Sequence, residues 1–245
     1  DDSSFEIELI KRELPAIKTF QVPRKEYEYG LMMREVSNLF YSLSQTKEDT
    51  QKVQIYKKQF QRSEEKEKIG NIEDYLGSLC LLLIVHVDDL SQVSRIAQMT
   101  QKTNQFNLTT KRYTEKDIRN LVEDEFKTVI SISVSDRYGD NGVTGLAILD
   151  SDKSVIDTLL LSCRVLGRNI EYKFMDVIID CAKNKDLRVL NSQYIKTMKN
   201  QQVSDFYERC GFIKVDEVDN SSEYNLHLES YESKDIKYIR VENGK

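Results

Sequence analysis

Between Leu161 and Phe174 the sequence reads LSCRVLGRNIEYKF, placing a thiol, two guanidinium groups and a glycine between an apolar run and a helical pattern. A glycine just ahead of a helix lets backbone N–H groups approach an anion, and the helix N-terminus adds roughly half a positive charge. Arg164 and Arg168 add forked donors suited to a phosphate. The plain alternative is a strand-to-helix turn with two solvated arginines. Cys163, read as ending the strand before this turn, is a candidate nucleophile activated by the helix end and the arginines. A buried cysteine at a strand end is the commoner case.

Two further segments carry chemistry. In QKTNQFN, the amides of Asn104, Gln105 and Asn107 can hydrogen-bond a substrate carbonyl or a pantetheine amide without adding charge, or simply pack a polar loop. In SDRYGDNG, Asp136 is a candidate acid–base group and Asp140 a substrate-positioning one, although Asp before Asn-Gly is also ordinary hairpin chemistry. His86 and His227 lie in strand-like runs with no partner at catalytic spacing. Cys80, Cys163, Cys181 and Cys210 form no CxxC pair, which argues against a zinc knuckle or a disulfide scaffold and for reduced thiols. Cys181 and Cys210 read as core.

The elements that must position these groups follow from the periodicity. A helix runs from Ser3 to Leu14 and closes at Pro15, and a second from about Lys25 to Leu43. Thr46 caps a third, charge-rich helix that runs toward Ile69 as a surface connector and stops at Gly70. The domain boundary is placed there, giving residues 1–70 and 71–245. Beyond it, CLLLIVHV reads as a strand, Val93 to Ala97 as a short helix, and Thr114 as the cap of another. TVISISVSD, GVTGLAILD and SVIDTLLLSC form an antiparallel meander, with Asn141-Gly142 as a hairpin signal. An amphipathic helix spans Ile170 to Lys183, RVLNSQYI is a strand, Val203 to Cys210 a helix, and FIKVDEV and YNLHLES close the order. The fold class is α/β (α+β): a mixed, largely antiparallel sheet flanked by helices and preceded by a helical segment.

A net charge of -5 lacks the basic footprint of a nucleic-acid-binding protein, and the longest apolar run, CLLLIV, is too short to span a bilayer. No nucleic-acid or membrane partner is expected, and the location is read as cytoplasmic. A first residue other than Met and a helix that begins almost at once suggest a piece of a longer polypeptide.

The order of elements, with RVLGRN before the long helix and NQQVSDFYERCGF after it, resembles the GNAT acyltransferase fold. In that fold a Q/R-x-x-G-x-G/A turn grips the pyrophosphate of coenzyme A, and a later N…Y…GF segment covers the thioester end. The resemblance assigns Arg164, Gly167 and Asn169 to the turn, with Asn169 in place of the expected small residue. It assigns Asn200, Tyr207, Gly211 and Phe212 to the later segment, with Tyr207 as the general acid that protonates the departing thiolate.

A narrower resemblance, carried by RIAQMTQKTNQFNLTTKRYT, SDRYGDNG, LLLSCRVLGRNIEYKF and MKNQQVSDFYERCGF, is to the C-terminal part of FkbH-like proteins. These join a HAD-superfamily phosphatase-like domain to a GNAT-like domain and are associated with loading a glyceryl unit onto an acyl carrier protein. The resemblance implies coenzyme A or a phosphopantetheine thiol as cofactor, and an acyl carrier protein and a small-molecule acyl donor as partners. It makes Asp1 and Asp2 the stump of a HAD magnesium site, with Mg expected only in an intact HAD domain and no phosphatase activity from this chain alone. The alternatives are a non-catalytic GNAT-shaped module that docks a carrier protein, and a coenzyme A-dependent N-acetyltransferase.

Overall fold

The computed structural model describes residues 2–39, 58, 60–62, 64–66 and 68–244. The expected cap at Thr46 and the end of the second helix at Leu43 lie outside the described residues. The chain divides into two compact units, residues 1–54 and 55–245. In the first, Ser3 accepts the Glu6 N–H and caps α1 (Ser4–Glu13), and a 3-10 turn over Glu26–Glu28 leads into α2 (Tyr29–Leu39).

The division falls after Gln54 rather than near Gly70. The described residues from 58 to 69 are helical, and Arg62 and Ile69 pack into the second unit. Arg62 is buried there in an ion pair with Asp136, while Glu64, Lys66 and Lys68 of the charge run read as a surface connector are exposed.

That unit holds α3 (Ile72–Ser78), α4 (Val93–Lys102), α5 (Glu115–Glu123), α6 (Ile170–Asn184) and the four-residue α7 (Phe206–Arg209). Its strands are β1 (Leu81–Val87), β2 (Phe106–Asn107), β3 (Lys127–Asp136), β4 (Gly139–Asp150), β5 (Val155–Leu161), β6 (Val189–Ile195), β7 (Ile213–Val218), β8 (Ser221–His227) and β9 (Ile239–Asn243). They form one sheet in the order β7-β8-β6-β5-β4-β3-β1-β9, with β2 added against β5. Only β5/β6 and β1/β9 are parallel; the β3-β4-β5 meander is antiparallel as expected.

Alternation along the meander loads both faces of the sheet. Ile130, Ile132, Val134, Ala147 and Leu149 join the core with Phe174, Met175, Ile178 and Ile179 of α6. Val129, Leu146, Ile148 and Leu160 face Val93, Ile96 and Met99 of α4 and Ile118 of α5. The start of α5 carries the expected reciprocal cap between Thr114 and Asp117.

Two local expectations change. The β3/β4 hairpin reverses at Arg137-Tyr138, since Asp136 pairs with Gly139, which has φ of 132°. Gly142, with φ of 66°, lies inside β4 beside a register irregularity rather than at the reversal. The last helix is broken into a 3-10 turn over Gln201–Val203 and α7, then stopped by Gly211 at φ of 86°. Val203, Phe206, Tyr207 and Cys210 are all buried, as their spacing required.

Candidate functional site

At the end of β5 the chain does not carry Cys163 on the strand. β5 stops at Leu161, and Ser162 caps a 3-10 turn over Cys163–Val165, its Oγ accepting the Arg164 N–H at 3.5 Å and the Arg164 Nε–H at 3.2 Å. Cys163 is exposed, so the buried-cysteine alternative does not apply. Gly167 follows with φ of 75°, a conformation that favours glycine, and Asn169 reaches φ of 61° as the residue before α6. Asn169 makes no cap with its side chain; its Nδ2 donates to Tyr238 Oη at 2.6 Å, which fixes the entrance to the helix from outside the turn.

Arg168 does not project toward solvent. Its Nη1 donates to Asp136 Oδ2 at 3.0 Å and its Nη2 to the Arg164 carbonyl at 2.8 Å, and the residue is buried. Arg62 completes the cluster with two parallel bonds to Asp136, both 2.8 Å, and the Tyr138 N–H adds a fourth at 2.9 Å. Burial, then the charge of Arg62, push the Arg168 guanidinium below its usual value, against the attraction of Asp136. Two cations thus share one carboxylate inside the protein. Asp136, expected as an acid–base group, has both oxygens filled by donors and its side chain fully buried, so it acts as an anchor for the turn. Arg168, expected as a phosphate ligand, is spent on that anchor.

The amide-rich segment turns inward. β5 and β6 pair only at Val155 with Asn191 and Ile156 with Ser192, and β2 enters where they part, Phe106 opposite Leu161 and Asn107 opposite Leu160. The Leu108 N–H donates to the Leu159 carbonyl at 3.0 Å, and the Leu108 carbonyl accepts the Ile195 N–H at 2.7 Å. Asn107 is buried, its Oδ1 accepting the Thr110 N–H at 2.8 Å and its Nδ2 donating to the Thr103 carbonyl at 3.3 Å. Asn104 Oδ1 accepts from Arg112 at 2.6 Å, while Gln105 is exposed and accepts from Gln202 through its carbonyl at 3.4 Å. Asp140 caps its own turn by accepting the Gly142 N–H at 2.7 Å. Of the four expected substrate contacts, only the Gln105 side chain stands in solvent without a bond of its own among the described residues.

Asn200, expected to touch a cofactor, is fully buried. Its Nδ2 donates to the Asn107 and Ile195 carbonyls at 2.8 and 2.9 Å, and its Oδ1 accepts from Tyr194 Oη at 3.1 Å and from the Thr197 N–H and Oγ1 at 2.8 and 2.9 Å. Every polar atom of that side chain is used inside the protein. Tyr207 is 1% exposed, its ring packed 5.1 to 6.0 Å from Phe206, Phe212 and Tyr224. Burial pushes its phenol far up, the Ser192 hydroxyl beside it pulls the other way, and neither hydroxyl is in hydrogen-bond geometry with any partner. A general acid must reach the leaving group, and this hydroxyl is sealed in the core. Burial likewise pushes Cys210 up to about 12, the value of an inert core thiol.

What stays accessible here is the exposed Cys163 and Gly167 and the half-buried Arg164 and Asn169, while Val165, Arg168 and Ile170 are buried and the Glu171 carboxylate engages its own backbone N–H at the start of α6. Arg164 has no carboxylate partner among the described residues, and a Cβ added at Gly167 would meet nothing within 4 Å. This stretch can hold an anion. Asp2 is exposed and Asp1 lies outside the described residues; among the described residues no group of three His, Cys, Asp or Glu side chains is placed to hold a metal.

Two residues of the site escaped the sequence reading. Arg62 sits inside a charge run whose composition is that of a solvated face. Glu171 occupies the first turn of α6, where an acid reads as an ordinary helix-start charge. Burial raises its pKa, its own backbone N–H and Arg209 lower it, and its Oε2 is buried with no partner. Because the folded protein holds this proton more tightly than the unfolded chain, its contribution to stability is present below the usual carboxyl range and is lost as pH rises through the raised value. Glu171→Gln is therefore expected to stabilise the fold at pH 7 by about 1 kcal/mol, an advantage that shrinks toward pH 4. Thermal melts of both proteins across that range check it.

No family model matches the sequence, and no curated protein matches it. Among solved structures, the spermidine N-acetyltransferase of Vibrio cholerae, in complex with CoA and spermine, is 12% identical; the alignment covers 61% of this chain and 97% of that one, with a TM-score of 0.47. A GNAT-family acetyltransferase from Streptococcus pneumoniae is 10% identical over 59% of this chain and 98% of its own, with a TM-score of 0.46.

Proposed function

We propose that residues 55–245 form a GNAT-type acyl-transfer domain that takes a phosphopantetheine-type thiol, on coenzyme A or on an acyl carrier protein, with its phosphate at the Gly167 turn. The observation that carries this reading is the Arg164 guanidinium, bonded to the Ser162 hydroxyl but without a carboxylate partner among the described residues, on a turn whose positive-φ glycine precedes α6. The buried Asp136 cluster supports it by fixing the turn: Arg168 holds the Arg164 carbonyl while Asp136 holds Arg168. When bound, such a cofactor supplies a thiol to carry the acyl group; the chain supplies charge and N–H donors at its phosphate.

The FkbH-like motifs extend the reading. They favour a glyceryl-type acyl group, a carrier-protein partner, a HAD-type neighbouring domain that would supply the magnesium site, and a cytoplasmic location. Cys163 is the one predicted catalytic side chain on the accessible stretch among the described residues, and beside Arg164 it lies at the phosphate end of the proposed ligand rather than at its thiol. Arg164→Ala is expected to weaken coenzyme A binding about tenfold, the loss of one charge-assisted contact. Titration calorimetry on the 245-residue chain measures it, and equal affinities in both proteins would remove Arg164 from the site.

A second reading, the non-catalytic docking module, is favoured by the sealed Tyr207 hydroxyl and the saturated Asp136. It separates from the first by turnover: a platform binds the holo carrier protein and never acylates it.

A further inference from the structure

Two parallel strands that part after two residue pairs leave a slot one strand wide, lined by backbone N–H and C=O groups. Such a slot takes an extended, amide-bearing chain by strand addition. The pantetheine arm is a chain of that kind. Here the slot between β5 and β6 is lined on one side by Leu159, Leu160 and Leu161 and on the other by Ile195 and Asn200.

We infer that Phe106, Asn107 and Leu108 are a built-in occupant of this slot, so that a thiol-bearing ligand is recognised at its phosphate end and its amide arm is left unread outside the sheet. The inference rests on the proposed phosphate site at the Gly167 turn and goes beyond it by naming which half of the ligand the protein reads.

Three observations carry it. Backbone groups on both sides of the slot are taken: Leu159 and Ile195 are bonded to Leu108, and Leu160 and Leu161 are paired with Asn107 and Phe106. The Asn200 amide, beside the slot, donates to the Asn107 carbonyl at 2.8 Å. Finally, the occupant is anchored by its side chains. Phe106 is 2% exposed and packs edge-on against Phe206 at 4.9 Å, and Leu108 is fully buried, so withdrawal would unseat two core residues. An arm that offered the same backbone bonds would not replace that apolar contact, and the exchange runs against the ligand.

The test compares coenzyme A with adenosine 3′-phosphate 5′-diphosphate, which keeps all three phosphates and lacks the arm, by calorimetry on the intact chain, together with hydrogen exchange at the Leu108 and Ile195 amides. The inference expects the two ligands to bind within about twofold of each other and both amides to stay protected at saturating coenzyme A. Coenzyme A binding more than tenfold tighter, or faster exchange at either amide when it binds, would overturn the inference and leave the phosphate site standing. If neither ligand binds to a folded chain, the proposed phosphate site fails, and the inference fails with it.

Discussion

Asp136→Ala is expected to be the most damaging single change in the larger unit, costing about 3–5 kcal/mol, because it leaves the buried guanidinium groups of Arg62 and Arg168 with no counter-charge. Over a unit of this size that corresponds to a fall in melting temperature of roughly 10 °C. The ratio of two cations to one anion makes the series asymmetric. Arg62→Met removes one positive charge and leaves Asp136 paired with Arg168, so it is expected to cost much less, about 1–2 kcal/mol. In the double variant the two losses should not add, because Arg168 then faces no second cation. Denaturant melts of the four proteins form a cycle that measures this. Additive losses would show that the cluster contributes as independent contacts. The cluster also couples stability to the site, since Asp136 holds Arg168 and Arg168 holds the carbonyl of Arg164.

Asn200→Ala comes second. The side chain is fully buried and satisfies two carbonyls, one hydroxyl of Tyr194 and both the backbone and side chain of Thr197. Truncation strands these groups where water does not reach, and a loss of about 2–4 kcal/mol is expected. Asn200→Asp is the informative companion. Its carboxylate still accepts from Tyr194 and Thr197 but sets a charge against the Asn107 and Ile195 carbonyls, so it should be at least as destabilising as alanine. An aspartate variant as stable as the parent would mean that the two donated bonds contribute nothing. Both variants should also loosen β2, read as faster exchange at Leu108.

The sequence made some of this visible because the relevant signal is local. The β3-β4-β5 meander consists of long runs with a two-residue period, and α6 has buried residues at the spacing of one helix face, so both could be placed to within three residues. The positive-φ turn at Gly167 was legible for the same reason. By contrast, β2 is two residues long and its pairing is set by the parting of β5 and β6, a property of the sheet that no window of sequence contains. β9 is a short, charged run that becomes a strand only because β1 offers it a parallel edge.

The candidate site divides along the same line. Residue type pointed to Arg164 and Gly167, the GNAT resemblance added Asn169, and the chain turns there with positive φ at Gly167 and Asn169. Residue type did not show that Arg168, Asp136, Asn107 and Asn200 were already committed to one another's neighbourhood, because Arg62 reaches Asp136 across 74 residues and Asn200 reaches Asn107 across 93. Buried polar groups must find partners, and here the amides and charges that looked ready for a ligand found theirs within the fold.

The most direct test of acyl transfer is the mass of a holo acyl carrier protein after incubation with the chain and a glyceryl thioester of coenzyme A. The account predicts that the carrier gains one acyl group, at a rate about tenfold lower with Arg164→Ala. A carrier that binds the chain and gains no mass would contradict it and leave a docking platform in its place.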